Sequence, residues 1–238
     1  MVTPQGEFRG AQAKINIWKP ETELGEYSAA SISVIADDGA EAVSAGWRVR
    51  HYGDSEPRFF VSWTADRFQK KGCDDIKCPN FVLISSTISI GAIFDPTSIL
   101  MGSQYDPTFT IFQDESTGNQ WIQYQGINVG YFLSSLFTLL SVKATRLYFG
   151  GQIANTKKQG HHTSTDMGSG QLPSEGNFGV SSFFQQVTAI DLNHIARASG
   201  KTPQTKTVMT YETTPNCYGV HVDDYREELG YTFYYGGP

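Results

Sequence analysis

The chain has little of what several common chemistries require. Positive charge is scarce: 18 lysines and arginines stand against 24 aspartates and glutamates in 238 residues, a formal net charge of −6. A nucleic-acid partner needs a basic surface, and Lys70-Lys71 and Lys157-Lys158 are short pairs in turn-like sequence, read as solvated loops. No run of about eighteen apolar residues occurs, so no membrane-spanning helix is expected; the longest apolar stretch, Val129 to Leu140, is broken by Gly130 and Ser134-Ser135. The opening MVTPQGEFRG lacks the charged and apolar regions of a secretory signal. Missing too are a phosphate-cradling glycine loop, an H-E-x-x-H zinc motif and a G-x-S-x-G elbow, to which MGSGQ (Met167 to Gln171) comes one residue short. His161 and His162 are adjacent and would point opposite ways on a strand. No metal and no cofactor are expected.

Cysteine is also sparse, with three residues. Cys73 and Cys78 close the short polar loop GCDDIKC and are read as a disulfide, because a zinc site there would need two further ligands. Cys217, in PNCYGV, has no evident partner, which in a secreted protein suggests a missing mate or a reactive thiol.

What the chain does have is apolar material, 39% hydrophobic and 13% aromatic, enough for a core. Runs rich in β-branched and aromatic residues recur: AKINIW (13–18), SISVI (31–35), SAGWRV (44–49), RFFVSWT (58–64), then 81–84, TFTIFQ (108–113), QWIQY (120–124), 146–149, 183–190, 206–211 and 231–235. Many alternate with period two, and turn-forming DDG, YGD, STGN and GGP separate them. One segment reads as a helix, SSLFTLLSVKA, with Ser134-Ser135 as cap and Leu136, Phe137, Leu139 and Leu140 as an apolar stripe. The expected fold is one all-β domain over 1–238, an antiparallel β-sandwich with one short helix. Residues 156–178 are polar and glycine-rich, a long loop of the kind that tends to carry function or mobility.

The order GAQAKINIW, SAGWRV, YGDSEPRFFVSWTAD, GCDDIKCPNFV, VGYF, FGGQI, HTSTDMGSGQ, NCYGV and YYGGP, from Gly10 to Pro238, resembles the neprosin domain family. The resemblance implies an antiparallel β-sandwich and a secreted, mostly plant protein whose precursor carries a signal and an inhibitory propeptide. It further implies a post-proline glutamic endopeptidase in which two glutamates face each other, one activating water and one serving as acid. Two carboxylates sharing a site cannot both ionise easily, so their pKa values part and their roles with them. The family places a cysteine shortly after its final GGPG, so Cys217 is expected to pair beyond Pro238, with the chain stopping inside that motif.

At the family's glutamate positions this chain has Ser44, immediately before AGW, and Gln152, immediately after the FGG of FGGQI. Neither serine nor glutamine cycles a proton near neutral pH, and each general acid–base term is worth about 10²–10⁴-fold. Family-type peptidase activity is therefore expected to be absent or very weak. The chain is then a binding or regulatory module for a peptide or protein ligand, which includes a propeptide, held in an inter-sheet cleft. The eqolisins, another glutamic peptidase family, pair a glutamate with a glutamine, so Gln152 would still need a carboxylate opposite. Glu41 is three residues from Ser44 and should face the other side of the strand. Asp166, where the family usually has glutamine, is the remaining substitute acid for an active endopeptidase. GYFL (130–133) and Gln120-Trp121 replace the family's GYWP and paired tryptophans, which weakens the case for proline specificity. Trp47, Trp63 and His162 are placed along the cleft, with a core role the favoured reading of both tryptophans over substrate stacking.

Overall fold

The alternating runs become strands of two antiparallel sheets. The computed structural model describes residues 1–50, 52–74, 80–157, 162–174, 178–198 and 208–238. Its strands are β1 (Val2–Phe8), β2 (Gly10–Ile15), β3 (Ser28–Ala36), β4 (Glu41–Val49), β5 (Arg58–Thr64), β6 (Gly72–Asp74), β7 (Phe81–Leu83) and β8 (Thr108–Gln113). They continue with β9 (Gln120–Tyr124), β10 (Ile127–Phe132), β11 (Ala144–Ile153), β12 (Ser182–Ile190), β13 (Ala196–Ala198), β14 (Val208–Thr210), β15 (Gly219–Arg226) and β16 (Gly230–Gly236). One sheet runs β14-β1-β11-β3-β4-β5-β6; the other runs β15-β16-β12-β2-β8-β9-β10-β7, with β13 pairing on β12.

The core fills the space between the sheets. Ile32 and Val34 of β3, Val43, Ala45 and Trp47 of β4, and Leu147 and Phe149 of β11 are buried there against Ala11, Ala13 and Ile15 of β2 and Phe109 and Ile111 of β8. Trp47 is anchored by its indole N–H, which donates to the Asn16 carbonyl at 3.0 Å. Trp63 packs edge-on to Phe137 with ring centroids 5.8 Å apart. Both tryptophans are thus core residues, in line with their favoured reading and against the placement along a cleft. The expected cleft between the sheets is corrected with them: alternation sends the bulkiest side chains inward, and they close that space.

The expected helix is the second correction. Among the described residues the segment holds a single 3₁₀ turn, Ser134–Leu136, without a side-chain cap, and Phe137 returns to extended backbone (φ −119°, ψ 151°). Tertiary partners satisfy the backbone groups that a helix would have paired internally. The Glu41 carboxylate accepts from the N–H groups of Thr138, Leu139 and Leu140 at 2.7, 2.9 and 2.8 Å. The amides of Gln113 and Gln120 both donate to the Leu140 carbonyl. The apolar stripe is real, with Phe137 and Leu140 buried, but its backbone is stitched to the sheets. Replacing Glu41→Ala would leave three backbone N–H groups without their acceptor, and a loss of about 2–3 kcal/mol is expected; a shift of the urea midpoint at unchanged slope measures it.

A second buried carboxylate fastens the segment that follows β11. Glu26, 2% exposed, accepts from the Thr156 N–H (2.7 Å) and hydroxyl (2.8 Å) and from the hydroxyls of Thr163 (2.5 Å) and Thr165. Burial would raise its pKa, but these hydrogen bonds outweigh burial and hold it down, from 4.5 to about 2. Between those values the unfolded chain binds the proton and the folded chain does not, so this contribution is complete above pH 4.5 and is lost as pH falls towards 2. The Glu26→Gln variant should accordingly show a flatter dependence of stability on pH across that window than the parent; parallel curves would contradict the assignment.

Candidate functional site

The core fixes which residues face outward. In the seven-stranded sheet, cross-strand partners share a face, and the registers run Tyr148↔Ser33↔Ser44↔Ser62, Gly150↔Ser31↔Gly46↔Phe60, and Gln152↔Ala29↔Arg48↔Arg58. Ser44 and Gln152 therefore stand on one face, the outer one, at opposite corners of a patch with Ser31 at its midpoint. They are two strands and four residues apart, about 16 Å between Cα atoms at flat-sheet spacing. Long side chains from both corners would lean towards each other over Ser31, which has glycine on either side. Serine is too short for this: the Ser44 hydroxyl is instead bonded to the Ser33 hydroxyl at 2.7 Å. Gln152 is exposed, and its amide makes no side-chain hydrogen bond among the described residues.

The same registers give every other group on this face. On β3 the outward residues are Ala29, Ser31, Ser33 and Ile35, and on β4 Ala42, Ser44, Gly46 and Arg48. On β5 they are Arg58, Phe60, Ser62 and Thr64, and on β11 Arg146, Tyr148, Gly150 and Gln152. None is a carboxylate. Acids stand at its margins: Asp74 lies opposite Ser62 at the β6 edge and is held by Arg48 in an ion pair at 2.5 Å, while Asp54 pairs with Arg58 and Asp38 with Arg146. The Arg48 guanidinium lies over the rings of Phe60 (4.2 Å) and Tyr27 (4.9 Å). Tyr148 reaches along its own strand to donate to the Gly151 carbonyl at 3.2 Å, and burial raises its phenol pKa. Neutral hydroxyls, an amide and aromatic faces can bind an extended chain by hydrogen bonds and stacking. They supply no acid–base pair.

The other expected site residues lie elsewhere. Asp166 pairs with Glu21, its N–H donating to the Glu21 carbonyl (2.9 Å) and its carboxylate accepting from the Glu21 N–H (3.2 Å). Burial raises its pKa, the charge of Glu21 adds to this, and the hydrogen bond from the Glu21 backbone opposes it. Its chain neighbour Met167 comes to Gly151 from below: a Cβ on Gly151 would meet Tyr235 at 2.5 Å and the Met167 sulfur at 2.8 Å. Gln152, the next residue along β11, points the opposite way from that contact. His162, exposed, packs on Tyr218 with centroids 5.1 Å apart. Glu41 is on the inner side, committed to the backbone at 138–140. Cys73 is in β6 opposite Trp63; its expected partner Cys78 lies outside the described residues, and Cys217 is a free thiol. Among the described residues no group of three or more His, Cys, Asp or Glu is placed to hold a metal, and no helix is long and apolar enough to cross a membrane.

Sequence reasoning missed Arg48, Tyr27 and Phe60 as parts of the face, and Glu26 as the anchor of its neighbouring loop. Strand parity carries the first group: Arg48 is four residues from Ser44, and Phe60 and Ser62 are alternate residues of β5. The alternation of Thr163 and Thr165 in HTSTD is a weaker signal for Glu26.

The architecture has solved counterparts. Scytalido-glutamic peptidase with a peptide-based transition-state analogue superposes with a TM-score of 0.52 at 10% identity, covering 100% of this chain and 96% of that chain. The same enzyme with a transition-state analogue inhibitor gives the same values, 0.52 and 10%. SCP-B, a member of the eqolisin family in a complex with a tripeptide, gives 0.49 at 9% identity with 100% and 96% covered. At 10% identity the likeness to scytalido-glutamic peptidase shows the fold alone. Membership rests on the sequence: residues 24–238 match the Neprosin family model, and the chain belongs to the neprosin family.

Proposed function

We propose that this neprosin-family protein is secreted, has lost the acid–base pair of a glutamic peptidase, and binds a peptide or protein ligand on the outer face of its seven-stranded sheet. The observation that carries the reading is the composition of that face. Its four central strands present no carboxylate, and the corner positions are Ser44 and Gln152. A peptide ligand suits a floor of serine hydroxyls bordered by Tyr27, Phe60 and Tyr148, with an exposed amide at one corner. The binding of a propeptide in trans would use the same surface.

A second reading, an active endopeptidase with Asp166 as substitute acid, draws support from the raised pKa of that carboxyl. The hydrogen bonds that tie it to the Glu21 backbone weigh against it. The deciding experiment is hydrolysis of a proline-containing fluorogenic peptide from about pH 2 to 7, comparing the parent with Ser44→Glu/Gln152→Glu. The parent should not exceed the blank. The double variant should cleave at acid pH, since each restored acid–base term is worth about 10²–10⁴-fold. Asp166→Asn should leave peptide binding unchanged. Parent turnover abolished by Asp166→Asn would overturn the binding-module reading.

A further inference from the structure

A second site lies away from this face, at the end of the sandwich where the 94–107 loop crosses β2 and the β9–β10 turn. There a pocket of about 320 Å³ opens, lined by Phe94, Tyr105, Tyr124, Lys14, Asp95 and Asp106 among others. That volume falls within the range of small-molecule sites, about 300–1,000 Å³. We propose that this pocket binds a small organic cation, an ammonium group on an aromatic stem.

Three observations fit that chemistry. First, the walls are fixed before any ligand arrives, which spares the entropy of ordering them. The loop is stapled by backbone hydrogen bonds from Phe94 N–H to Pro57, Ser98 N–H to Ile17, Ile17 N–H to Tyr105 and Ile15 N–H to Pro107, all 2.8–3.0 Å. Second, the apolar wall is aromatic. Phe94 and Tyr124 pack with centroids 5.7 Å apart and rest on Phe109 at 6.0 and 5.4 Å, so the pocket offers ring surface to an aromatic stem and to a cation. Third, the charge balance is negative: Asp95 and Asp106 against Lys14 alone. Asp106 is only loosely matched by Lys14, at 3.4 Å with both side chains partly exposed. Asp95 makes no ion pair or hydrogen bond among the described residues. An incoming ammonium gains both carboxylates. A carboxylate ligand would face them with one lysine already shared.

Calorimetric titration with 2-phenylethylamine at low ionic strength tests the proposal, with 2-phenylethanol and phenylacetate as neutral and anionic analogues of the same stem. The amine should saturate at one site. Both analogues should bind at least about tenfold more weakly, and Asp95→Asn/Asp106→Asn should weaken the amine by about tenfold while the melting temperature stays put. Asp38→Asn, which removes an exposed acid elsewhere on the surface, should change nothing. Absence of saturable amine binding, equal affinity for the three compounds, or equal weakening by Asp38→Asn would overturn it.

Discussion

The burial of alternate residues in β3, β4 and β11 is the constraint on which the rest depends. Ile32, Val34, Val43, Ala45, Trp47, Leu147 and Phe149 are at most 1% exposed. Slipping any of these strands by one residue would turn its whole apolar set outward and bring serines, Arg48 or Gln152 into the core. The outer face is therefore chosen by the core, whatever groups stand on it. Changing the residue at 44 or 152 alters what the face can do without altering which face it is.

The acids of this chain that are best held serve the fold. Glu41 and Glu26 both point inward, and each is saturated by donors, three backbone N–H groups for one and threonine hydroxyls with a backbone N–H for the other. Charge-assisted hydrogen bonds of this kind are the strong ones, and they tie loops to sheet ends. On the outer face the arginines are each matched by an aspartate from a neighbouring element, Arg48 by Asp74, Arg58 by Asp54 and Arg146 by Asp38. The face is thus electrically quiet.

Most of this was legible in the sequence because period two is a strong signal. The strands, the sandwich and the placing of Glu41 opposite to Ser44 all follow from it. Where reading failed, long-range partners decided. The 134–144 segment has a helical stripe, yet Glu41, about a hundred positions earlier, takes the N–H groups that a helix would need. The tryptophans followed parity rather than chemistry: Trp47 and Trp63 are odd-numbered neighbours of Val43, Ala45 and Val61, and so had to be core. Short edge strands such as β6 and β13 carry three residues each, too few for periodicity to register, and β1, β10 and β15 are not among the runs read from the sequence.

The motifs that identify the family also separate scaffold from chemistry. In AGW, a Cβ on Gly46 would sit 2.0 Å from the Ala30 carbonyl oxygen, so the close approach of β3 and β4 requires glycine there. In FGG, a side chain on Gly151 would collide with Tyr235 and Met167. Trp47 fills the core and bonds to Asn16. These letters are demanded by packing and hold whether or not the protein cleaves anything. Positions 44 and 152 are different: each lies on the outer surface, and no packing requirement selects its side chain. A match to the surrounding letters is therefore evidence for the sandwich and for which residues stand on its outer side. The two residues that packing leaves unconstrained are, in this chain, a serine and a glutamine, neither of which exchanges a proton near neutral pH.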